Sequence, residues 1–432
     1  MSFQALPGFR DFYPDAMALR SHIFATWRRV AASYGFEEFD GPPLEPLDLF
    51  TAKSGQEIVD QLYAFEDKGG RTVALRPEMT PTLARMVGAR GNALKKPIRW
   101  FAISQLFRYE RQQRGRLREH FQLNCDILGE AGPVADAEII ALALDAMRAF
   151  GLTPADVRAR ISDRRVLEAL LRGAGIADDR MPAAFQAIDK VERMSRPRLT
   201  AMLTEHGHAP NDIDAIFRVA EIRTWDALAE ALDRVPGGED VGGPLRTVME
   251  ALEAMGLGSF VDLDLSIVRG LDYYTGIVFE LFDAEKTFRA ICGGGRYDTL
   301  LKSLGGTDLP ALGFGMGDVV LGDLLADRGL VPPPSPSIEV FVAGATDEDL
   351  SDLLGLVHAF RDRGIRVEYS FRGSSLGKQL GLAASRGARF AVVIGPDDRA
   401  RGEVVIKTLT DGSQRSVARA AAVDELASLL AG

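Results

Sequence analysis

The chain has 432 residues, of which 46% are hydrophobic and 26% are charged. This composition is typical of a globular protein and excludes a disordered or fibrous chain, and the length corresponds to about two to four domains. The formal net charge of −10 argues against a surface that binds nucleic acid non-specifically, but it is compatible with a local basic patch.

Several classes of protein are disfavoured by what the sequence lacks. No apolar run approaches the roughly 18 residues of a membrane helix, and the first residues lack the apolar stretch of a signal peptide. Cys125 and Cys292 are expected to be small buried side chains in a reducing compartment, which favours the cytoplasm. The five histidines form no H-E-x-x-H motif and have no paired cysteines nearby, so we expect no zinc site. We expect no organic cofactor either.

The first part of the chain, residues 1–152, combines helical and strand patterns. Residues 15–34 are predicted to form an amphipathic helix that ends at Gly35, and Thr80-Pro81 is the order that begins another helix. Two strands connected by a loop are predicted further on: residues 97–111, the loop 114–116, and the returning strand 120–128.

The pattern changes to short helices broken by glycine and proline over residues 153–250. Strands are predicted to resume in residues 251–330, where 261–267 alternate between apolar and polar residues and 277–282 are their expected hairpin partner. The sequence therefore predicts an α+β domain built on an antiparallel sheet and interrupted by a helical insertion.

A proline-rich linker at residues 331–337 precedes the last segment, residues 338–432. Four strand patterns alternate with helical patterns in that segment, which predicts a small α/β domain with a mostly parallel sheet. The predicted strands are 338–343, 367–369, 391–394 and 404–409.

The returning strand places Gln122, Asn124 and Asp126 on one face and apolar side chains on the other. Taken alone, this alternation favours a solvated polar face, and a ligand-binding face is the other interpretation that it allows.

An arginine-rich segment precedes the returning strand. Arg108 and Glu110 are two residues apart and are expected to share a face, with Arg116 in the loop. Arginine binds phosphate through two parallel hydrogen bonds, and a carboxylate can accept the amino group of adenine. These residues predict an ATP site, although the sequence contains no P-loop. The glycines at 293–295 and 313–317 are better explained by close backbone packing than by dinucleotide binding.

These segments resemble motifs of a known family. Residues 107–111 and the loop that follows resemble motif 2 of the class II aminoacyl-tRNA synthetases, 35–45 resemble the dimer-forming motif 1, and 310–321 resemble motif 3. Two further segments, 268–274 and 294–298, are similar to signatures of the histidyl-tRNA synthetases. The similarity runs nearly end to end, including Arg76-Pro77-Glu78 and residues 6–11.

The resemblance implies a homodimer that activates histidine with ATP and Mg²⁺ and transfers it to the 3′ end of histidine tRNA. It implies an anticodon-binding role for residues 338–432 and an insertion that contacts the acceptor stem. The alternative is a non-catalytic histidine-binding paralogue, such as the regulatory subunit of ATP phosphoribosyltransferase, which normally lacks the C-terminal domain.

The resemblance also implies residue roles. Arg269 and Arg108 are the catalytic candidates, Arg269 lying near the histidine carboxylate and the α-phosphate, and Gln113 is the candidate tRNA contact. The other candidates for histidine binding are Glu78, Met79, Thr80, Gln122, Asp126, Tyr273, Tyr274 and Tyr297. The candidates for ATP binding are Arg108, Glu110, Arg116, His120 and Phe121.

One departure from the family pattern concerns phosphate binding. Motif 3 normally ends in an arginine for ATP, and Val320 stands at that position. Arg114 or Arg118, in the arginine-rich segment, is the expected replacement.

Overall fold

The computed structural model describes residues 3–52, 59–91, 93–110, 115–268, 274–285, 287–333 and 338–431. The chain divides into two compact units, residues 1–332 and 333–432. Among the residues described, no helix is long and apolar enough to cross a membrane.

An eight-stranded sheet organises the first unit. Its strands are β1 (Glu37–Glu38), β5 (Ile98–Phe107), β6 (Glu119–Leu128), β7 (Val157–Asp163), β8 (Val261–Leu263), β9 (Ile277–Asp283), β10 (Cys292–Arg296) and β11 (Ala311–Gly317). They lie in the order β1-β5-β6-β11-β10-β9-β7-β8. All neighbours are antiparallel except the two edge pairs, β1 with β5 and β7 with β8. The prediction of a domain built on an antiparallel sheet is confirmed.

The first unit also contains a small three-stranded sheet, whose strands lie between β1 and β5 in sequence. Its order is β2-β4-β3, formed by β2 (Leu44–Pro46), β3 (Tyr63–Glu66) and β4 (Thr72–Leu75). Leu44 and Phe65, on the two outer strands, are large apolar side chains that remain exposed.

Helices complete the unit. They are α1 (Pro14–Ser33), α2 (Leu47–Thr51), α3 (Thr80–Arg90), α4 (Pro133–Arg148), α5 (Arg164–Gly173), α6 (Met181–Asp189), α7 (Arg196–Glu205), α8 (Pro210–Ala220), α9 (Trp225–Leu232), α10 (Gly238–Ala254), α11 (Leu300–Gly305) and α12 (Asp318–Asp327). The predicted helix at 15–34 corresponds to α1, and the Thr80-Pro81 start corresponds to α3. In the segment where short helices were predicted, the first helix is α5, whose N-cap is Asp163.

The eight-stranded sheet is buried on both faces. On one face, Leu123, Cys125 and Ile127 of β6 pack in a core that includes α1 and α4. On the other face, Leu128 packs in a second apolar cluster that contains Leu83 of α3. The site described below lies on this second face.

Long-range pairing alters part of the predicted strand order. Residues 157–163 were predicted to open the helical segment, but they form β7, so the helices of the insertion begin at Arg164. The predicted strand 261–267 is shortened to β8, because Asp264 forms a turn and accepts hydrogen bonds from the backbone N and Oγ of Ser266. The predicted hairpin of this strand with 277–282 is wrong, because β7 lies between β8 and β9.

The second unit contains a five-stranded mixed sheet in the order β13-β12-β14-β15-β16. Its elements are β12 (Val340–Gly344), α13 (Leu350–Asp362), β13 (Val367–Tyr369), α14 (Leu376–Ser385), β14 (Phe390–Ile394), α15 (Pro396–Arg401), β15 (Glu403–Thr408), β16 (Gln414–Ala418) and α16 (Ala422–Ala431). The α/β class is confirmed, but the sheet is not mostly parallel, since β14-β15 and β15-β16 are antiparallel. The additional strand β16 is polar and largely exposed, which hid it from the sequence pattern.

Candidate functional site

The polar face of β6 is buried rather than solvated. Asp126 is 3% exposed and Asn124 is 7% exposed, and both belong to the face that meets the α3 cluster. The interpretation of this face as a solvated surface is therefore wrong. The buried Oδ1 of Asn124 has no hydrogen-bond partner among the described residues, so the polar groups on this face are not all satisfied by the protein. Buried polar groups are normally hydrogen-bonded, which makes this face a candidate for ligand binding.

Asp126 is the most buried carboxylate of this face. The hydroxyl of Tyr297 donates a hydrogen bond to its Oδ1. Gly313 lies opposite Asp126 in the register of β11 and β6, and a Cβ added at Gly313 would collide with the carboxylate. Glycine at 313 thus provides the space that Asp126 occupies, and the close-packing interpretation of this glycine segment holds here.

Burial determines the charge state of Asp126. Desolvation raises the pKa of Asp126 to about 7, although the hydrogen bond from Tyr297 acts in the opposite direction. A carboxyl group with such a pKa accepts a ligand N–H when it is ionised and donates a proton when it is neutral.

Two tyrosines lie in the apolar cluster on this side of the sheet. Tyr274 and Tyr297 are buried in the same apolar cluster as Leu83 of α3. A Cβ added at Gly295 would lie 3.0 Å from Cδ1 of Tyr274, so the glycines of β10 also permit close packing of this ring. The pocket therefore combines aromatic walls with a polar base, the usual composition of a small-molecule site.

The predicted amino-group contacts lie at the beginning of α3. Glu78 is 8% exposed, and Thr80 is the first residue of the helix. The Met79 side chain is 1% exposed, and its sulfur lies 3.7 Å from Nη1 of Arg76 and 3.5 Å from Oγ of Ser104. The sulfur of Met79 is thus engaged within the protein.

Arg76 fixes this segment to neighbouring elements. Its Nε donates to the carbonyl of Gln105 at 3.0 Å, and its Nη1 donates to Asp40 Oδ1 and to the Gly41 carbonyl, both at 2.7 Å. Arg76 is 4% exposed, and its buried guanidinium makes charge-assisted bonds to two backbone carbonyls and to the more exposed carboxylate of Asp40. They hold the segment that carries Glu78 against the end of β5.

Gln122 extends the polar face toward the arginine-rich end of the strand. A Cβ added at Gly315 would collide with the side-chain amide of Gln122. The three atoms nearest to that Cβ all belong to this side chain. Gly315 therefore provides space for Gln122, as Gly313 does for Asp126.

Arg108 and His120 lie together beyond Gln122. Arg108 follows the last residue of β5, and its Nε donates to the Pro77 carbonyl at 3.0 Å. Burial, together with the nearby cations Arg108 and Arg10, lowers the pKa of His120 to about 3. His120 is therefore neutral at pH 7, and its ring is available for stacking or hydrogen bonding on the same face as Gln122.

Glu110 and Arg116 form an ion pair, with Arg116 Nη1 lying 2.8 Å from Glu110 Oε2. Glu110 and Arg116 lie outside the strands, and so does Arg108. Strand alternation therefore does not predict whether Arg108 and Glu110 share a face. The two nevertheless lie in the loop that connects β5 and β6, where an ATP site was expected.

Phe121 is not part of this arrangement. Its ring packs on the opposite face of β6, with its centroid 5.2 Å from that of Phe24 in α1 and 4.9 Å below the Arg20 guanidinium. Of the two candidates for stacking on adenine, the structure therefore places His120 with the other site residues and Phe121 with the core.

A buried ionic network supports the site and was not found from sequence. Arg10 binds Glu119 through Nε at 2.6 Å and Asp318 through Nη1 at 2.9 Å. Asp318 also accepts a 2.9 Å hydrogen bond from the Phe121 backbone N–H. This network joins the N-terminal segment, β6 and the start of α12, which are far apart in sequence. The only sequence signal was the resemblance of residues 6–11 to the family.

Several predicted residues lie outside the described ranges. These are the catalytic candidate Arg269, the pocket candidate Tyr273, the tRNA candidate Gln113, and the loop arginines Arg111 and Arg114.

The described residues can bind a ligand that has two chemically different ends. The Asp126 and Tyr297 pair suits a small polar ring, and the arginines at the end of β5 suit phosphate. A buried polar cluster with two tyrosines beside an arginine-rich strand–loop–strand, both built on an antiparallel sheet, is the arrangement expected of a class II aminoacyl-tRNA synthetase.

Comparisons with known proteins identify the family. Residues 8–317 match the family model for histidyl-tRNA synthetase, and residues 339–429 match the model for the anticodon binding domain. The histidine–tRNA ligase of Opitutus terrae is 46% identical over 97% of this chain and 96% of its own length. The chain belongs to the histidyl-tRNA synthetase family.

Solved structures agree with this assignment. The crystal structure of histidyl-tRNA synthetase from Nostoc sp. PCC 7120 is 27% identical, with a TM-score of 0.82, and the match covers 98% of this chain and 99% of that one. A protein from Bacillus halodurans, described as an ATP phosphoribosyltransferase regulatory subunit/histidyl-tRNA synthetase, is 21% identical with a TM-score of 0.75. The match covers 91% of this chain and 99% of that one. At this identity the second likeness shows the fold alone.

Proposed function

We propose that this chain activates histidine with ATP and transfers the histidyl group to the 3′ end of histidine tRNA. The observation that carries the proposal is the buried pair of Asp126 and Tyr297 on the face of β6 that also bears His120, whose electrostatic neighbour is Arg108. Asp126 and Tyr274 would bind the imidazole nitrogens. Glu78, Thr80 and Gln122 would bind the α-amino group, with Met79 between the first two.

The first chemical step joins the histidine carboxylate to the α-phosphorus of ATP. The carboxylate oxygen forms the new P–O bond, and the bond to pyrophosphate breaks. Such a step depends on positioning and charge stabilisation more than on proton transfer. Arg108 would bind the α-phosphate, and Arg269 would supply a fixed cation beside the carboxylate. Mg²⁺ would enter with ATP and be held mainly by its phosphates.

The second step transfers the acyl group. A hydroxyl of the terminal ribose attacks the carbonyl carbon of the adenylate, and AMP leaves with the electron pair of the broken C–O bond. Gln113 would contact the tRNA beside the acceptor end, and the second unit would bind the anticodon.

ATP binding would rearrange the loop after β5. Glu110 is proposed to accept the adenine amino group and Arg116 to bind the terminal phosphates, but the two side chains now pair with each other. The Arg116 side chain of this pair is 46% exposed, so the pair is well hydrated on one side and the exchange of partners costs little. His120, neutral at pH 7, would stack on the adenine ring.

Histidine-dependent exchange of labelled pyrophosphate into ATP tests the first step. The folded chain is expected to catalyse this exchange with histidine and not with other amino acids. Absence of exchange in a protein that still binds histidine would instead favour the non-catalytic paralogue. That paralogue normally lacks an anticodon-binding domain, whereas residues 339–429 of this chain match one.

The two-unit architecture predicts that activation and tRNA binding can be separated. Removing residues 338–432 is expected to leave pyrophosphate exchange within about threefold of the intact chain, because every candidate for histidine or ATP binding lies in the first unit. The same truncation is expected to lower kcat/KM for tRNA by at least 10-fold, since an independent binding module is lost. Both rates are measured on one preparation whose melting curve shows a folded first unit. Normal charging of tRNA by the truncated protein would contradict the anticodon-binding role.

The raised pKa of Asp126 predicts a pH dependence of histidine binding. Since its pKa is raised to about 7, the ligand-free carboxyl is mostly protonated at pH 6 and mostly ionised at pH 8. An imidazole N–H favours the ionised form, so binding releases this proton below pH 7, and the dissociation constant for histidine should fall about 10-fold between pH 6 and 8.

The free histidine ring titrates in the same range, so Asp126→Asn serves as the control. Calorimetric titrations in buffers of different ionisation enthalpy should detect more proton release at pH 6 with the original protein than with this variant. Equal proton release by both would contradict the proposed titration of Asp126.

We also predict a homodimer, because the 35–45 segment resembles the interface motif of the family. The cytoplasm is the expected compartment, for the reason given above for the two cysteines. Exposed Leu44 and Phe65 on the small sheet add apolar surface that an interface would cover. Sedimentation velocity at micromolar concentration is expected to show a single species with twice the chain mass of 46.9 kDa. A monomer throughout that range would contradict the prediction.

A further inference from the structure

The position that lacks its expected arginine faces the ATP loop. Val320 lies in the first turn of α12 and is 9% exposed. Gly115, in the loop between β5 and β6, has a φ of 76° and approaches Val320 so closely that an added Cβ would lie 3.3 Å from its Cγ2. Val320 thus packs against the loop that carries Arg116.

A different arginine reaches the same point from another part of the chain. Cδ of Arg289 would lie 3.9 Å from that added Cβ at Gly115. Arg289 belongs to the segment between β9 and β10, and its side chain is exposed. Its stem and the Val320 side chain therefore meet at a single glycine of the loop.

The electrostatic surroundings of Arg289 favour an anion. Partial burial and the charge of Arg116 lower the pKa of Arg289, Glu110 acts in the opposite direction, and Arg193 adds a further repulsion. Arg289 thus lies within electrostatic range of two other guanidinium groups and of the Glu110 carboxylate. A phosphate would relieve this repulsion and accept paired hydrogen bonds from two guanidinium groups.

Arg118, one of the two replacements expected from sequence, is engaged elsewhere. Its guanidinium lies 4.0 Å from the centroid of the Tyr109 ring, and its Nε donates to the Glu110 carbonyl at 3.3 Å. These contacts hold the loop in place. They make Arg118 a support for the site, whereas Arg289 interacts electrostatically with both Arg116 and Glu110.

We propose that Arg289 takes the phosphate-binding role of the arginine that is missing at Val320, and that it holds the terminal phosphates of ATP together with Arg116. The proposal rests on the proposed function, since it requires an ATP site at this loop. The arginine side chain thus comes from the segment between β9 and β10 instead of from α12, and it approaches the same glycine, Gly115, of the β5–β6 loop.

The test compares the two substrates of pyrophosphate exchange in one variant. Arg289→Ala is expected to raise the KM for ATP by about 10- to 100-fold, because a charge-assisted hydrogen-bonding group is lost. The KM for histidine is expected to change by less than about twofold, since Asp126 lies near the end of β6 that is away from this loop. Arg289→Lys, which keeps the charge but not the planar fork, should fall between the two proteins.

Arg172→Ala is the matched control, because Arg172 is an exposed arginine of the insertion that pairs only with surface carboxylates in the described structure. It should leave both KM values unchanged. An unchanged KM for ATP in a folded Arg289→Ala protein would overturn the proposal.

A second substitution tests whether Arg289 replaces the phosphate-binding arginine that is expected at position 320. Val320→Arg, introduced into the Arg289→Ala variant, is expected to restore at least one third of the lost affinity for ATP. A folded double variant with no recovery would overturn the exchange of roles between positions 289 and 320. The original protein serves as a reference, since its failure to exchange pyrophosphate would refute the proposed function itself. In that case, calorimetry compares the dissociation constant for ATP of the original protein with that of Arg289→Ala. Equal constants would overturn the role of Arg289.

Discussion

Asp126→Ala is expected to lower kcat/KM for histidine in pyrophosphate exchange by about 10²- to 10³-fold, with little change in the KM for ATP. The substitution removes the acceptor for an imidazole N–H and also the hydrogen bond that the carboxylate accepts from the Tyr297 hydroxyl in a buried site. A charged hydrogen bond is worth about 1.5–3 kcal/mol, and an unpaired buried group adds a further cost. Sites built to pair polar groups discriminate through this penalty.

Controls separate this effect from general damage to β6. Cys125→Ala alters the neighbouring buried side chain on the opposite face of the strand and should preserve the KM for histidine. Tyr297→Phe removes only the hydroxyl that contacts Asp126 and should give a smaller loss than Asp126→Ala. If folded Asp126→Ala protein retained the original KM and kcat for histidine, the assignment of this pocket would be wrong.

Arg108→Ala is expected to reduce kcat for exchange by about 10²- to 10³-fold, the loss typical of one preorganised donor to developing charge. Its Nε is fixed by the Pro77 carbonyl, so the guanidinium is already oriented before ATP binds. The variant loses both the charge at the α-phosphate and the orientation that this hydrogen bond provides. Pre-steady-state measurement of adenylate formation gives the rate directly.

The matched control is Arg99→Ala, at the opposite end of the same strand, where the arginine pairs with Glu138. It should retain the rate of adenylate formation. Arg108→Lys restores the charge but not the paired donors, and it should recover only part of the rate. A full rate in Arg108→Ala would remove this arginine from the chemistry.

Much of the local structure could be predicted because its signals are short-range. The stripe of α1, the Thr80-Pro81 start of α3 and the alternation in β6 are all contained in segments of about 20 residues or fewer. The two faces of β6 were also assigned correctly. Their burial was not, because periodicity shows which residues share a face and does not show what covers that face.

The errors come from contacts between distant segments. The β7 strand pairs with β9, more than 100 residues later, and the helices α5–α10 lie between them in sequence. No local pattern reveals such a partner, so the neighbouring strands 261–267 and 277–282 were paired with each other instead.

The site shows the same division. The contact between Asp126 and Tyr297 spans 171 residues, and only the family resemblance brought these two residues together before the structure did. The position of Arg289 beside Val320 had no sequence signal, because it depends on the path of the segment between β9 and β10 around the loop that contains Gly115. The Arg10 network with Glu119 and Asp318 is likewise visible only in three dimensions.

We propose that the site at Asp126 and the two arginines of the β5–β6 connection, Arg108 and Arg116, serve one reaction, the esterification of tRNA with histidine. Its most direct test is charging of unfractionated tRNA with labelled amino acids, one at a time, by the full-length chain with ATP and Mg²⁺. Label from histidine alone is expected to enter acid-precipitable tRNA, up to the amount of histidine acceptor present, and mild base should release it as an ester. A folded protein that binds histidine and ATP but leaves tRNA uncharged would contradict the account.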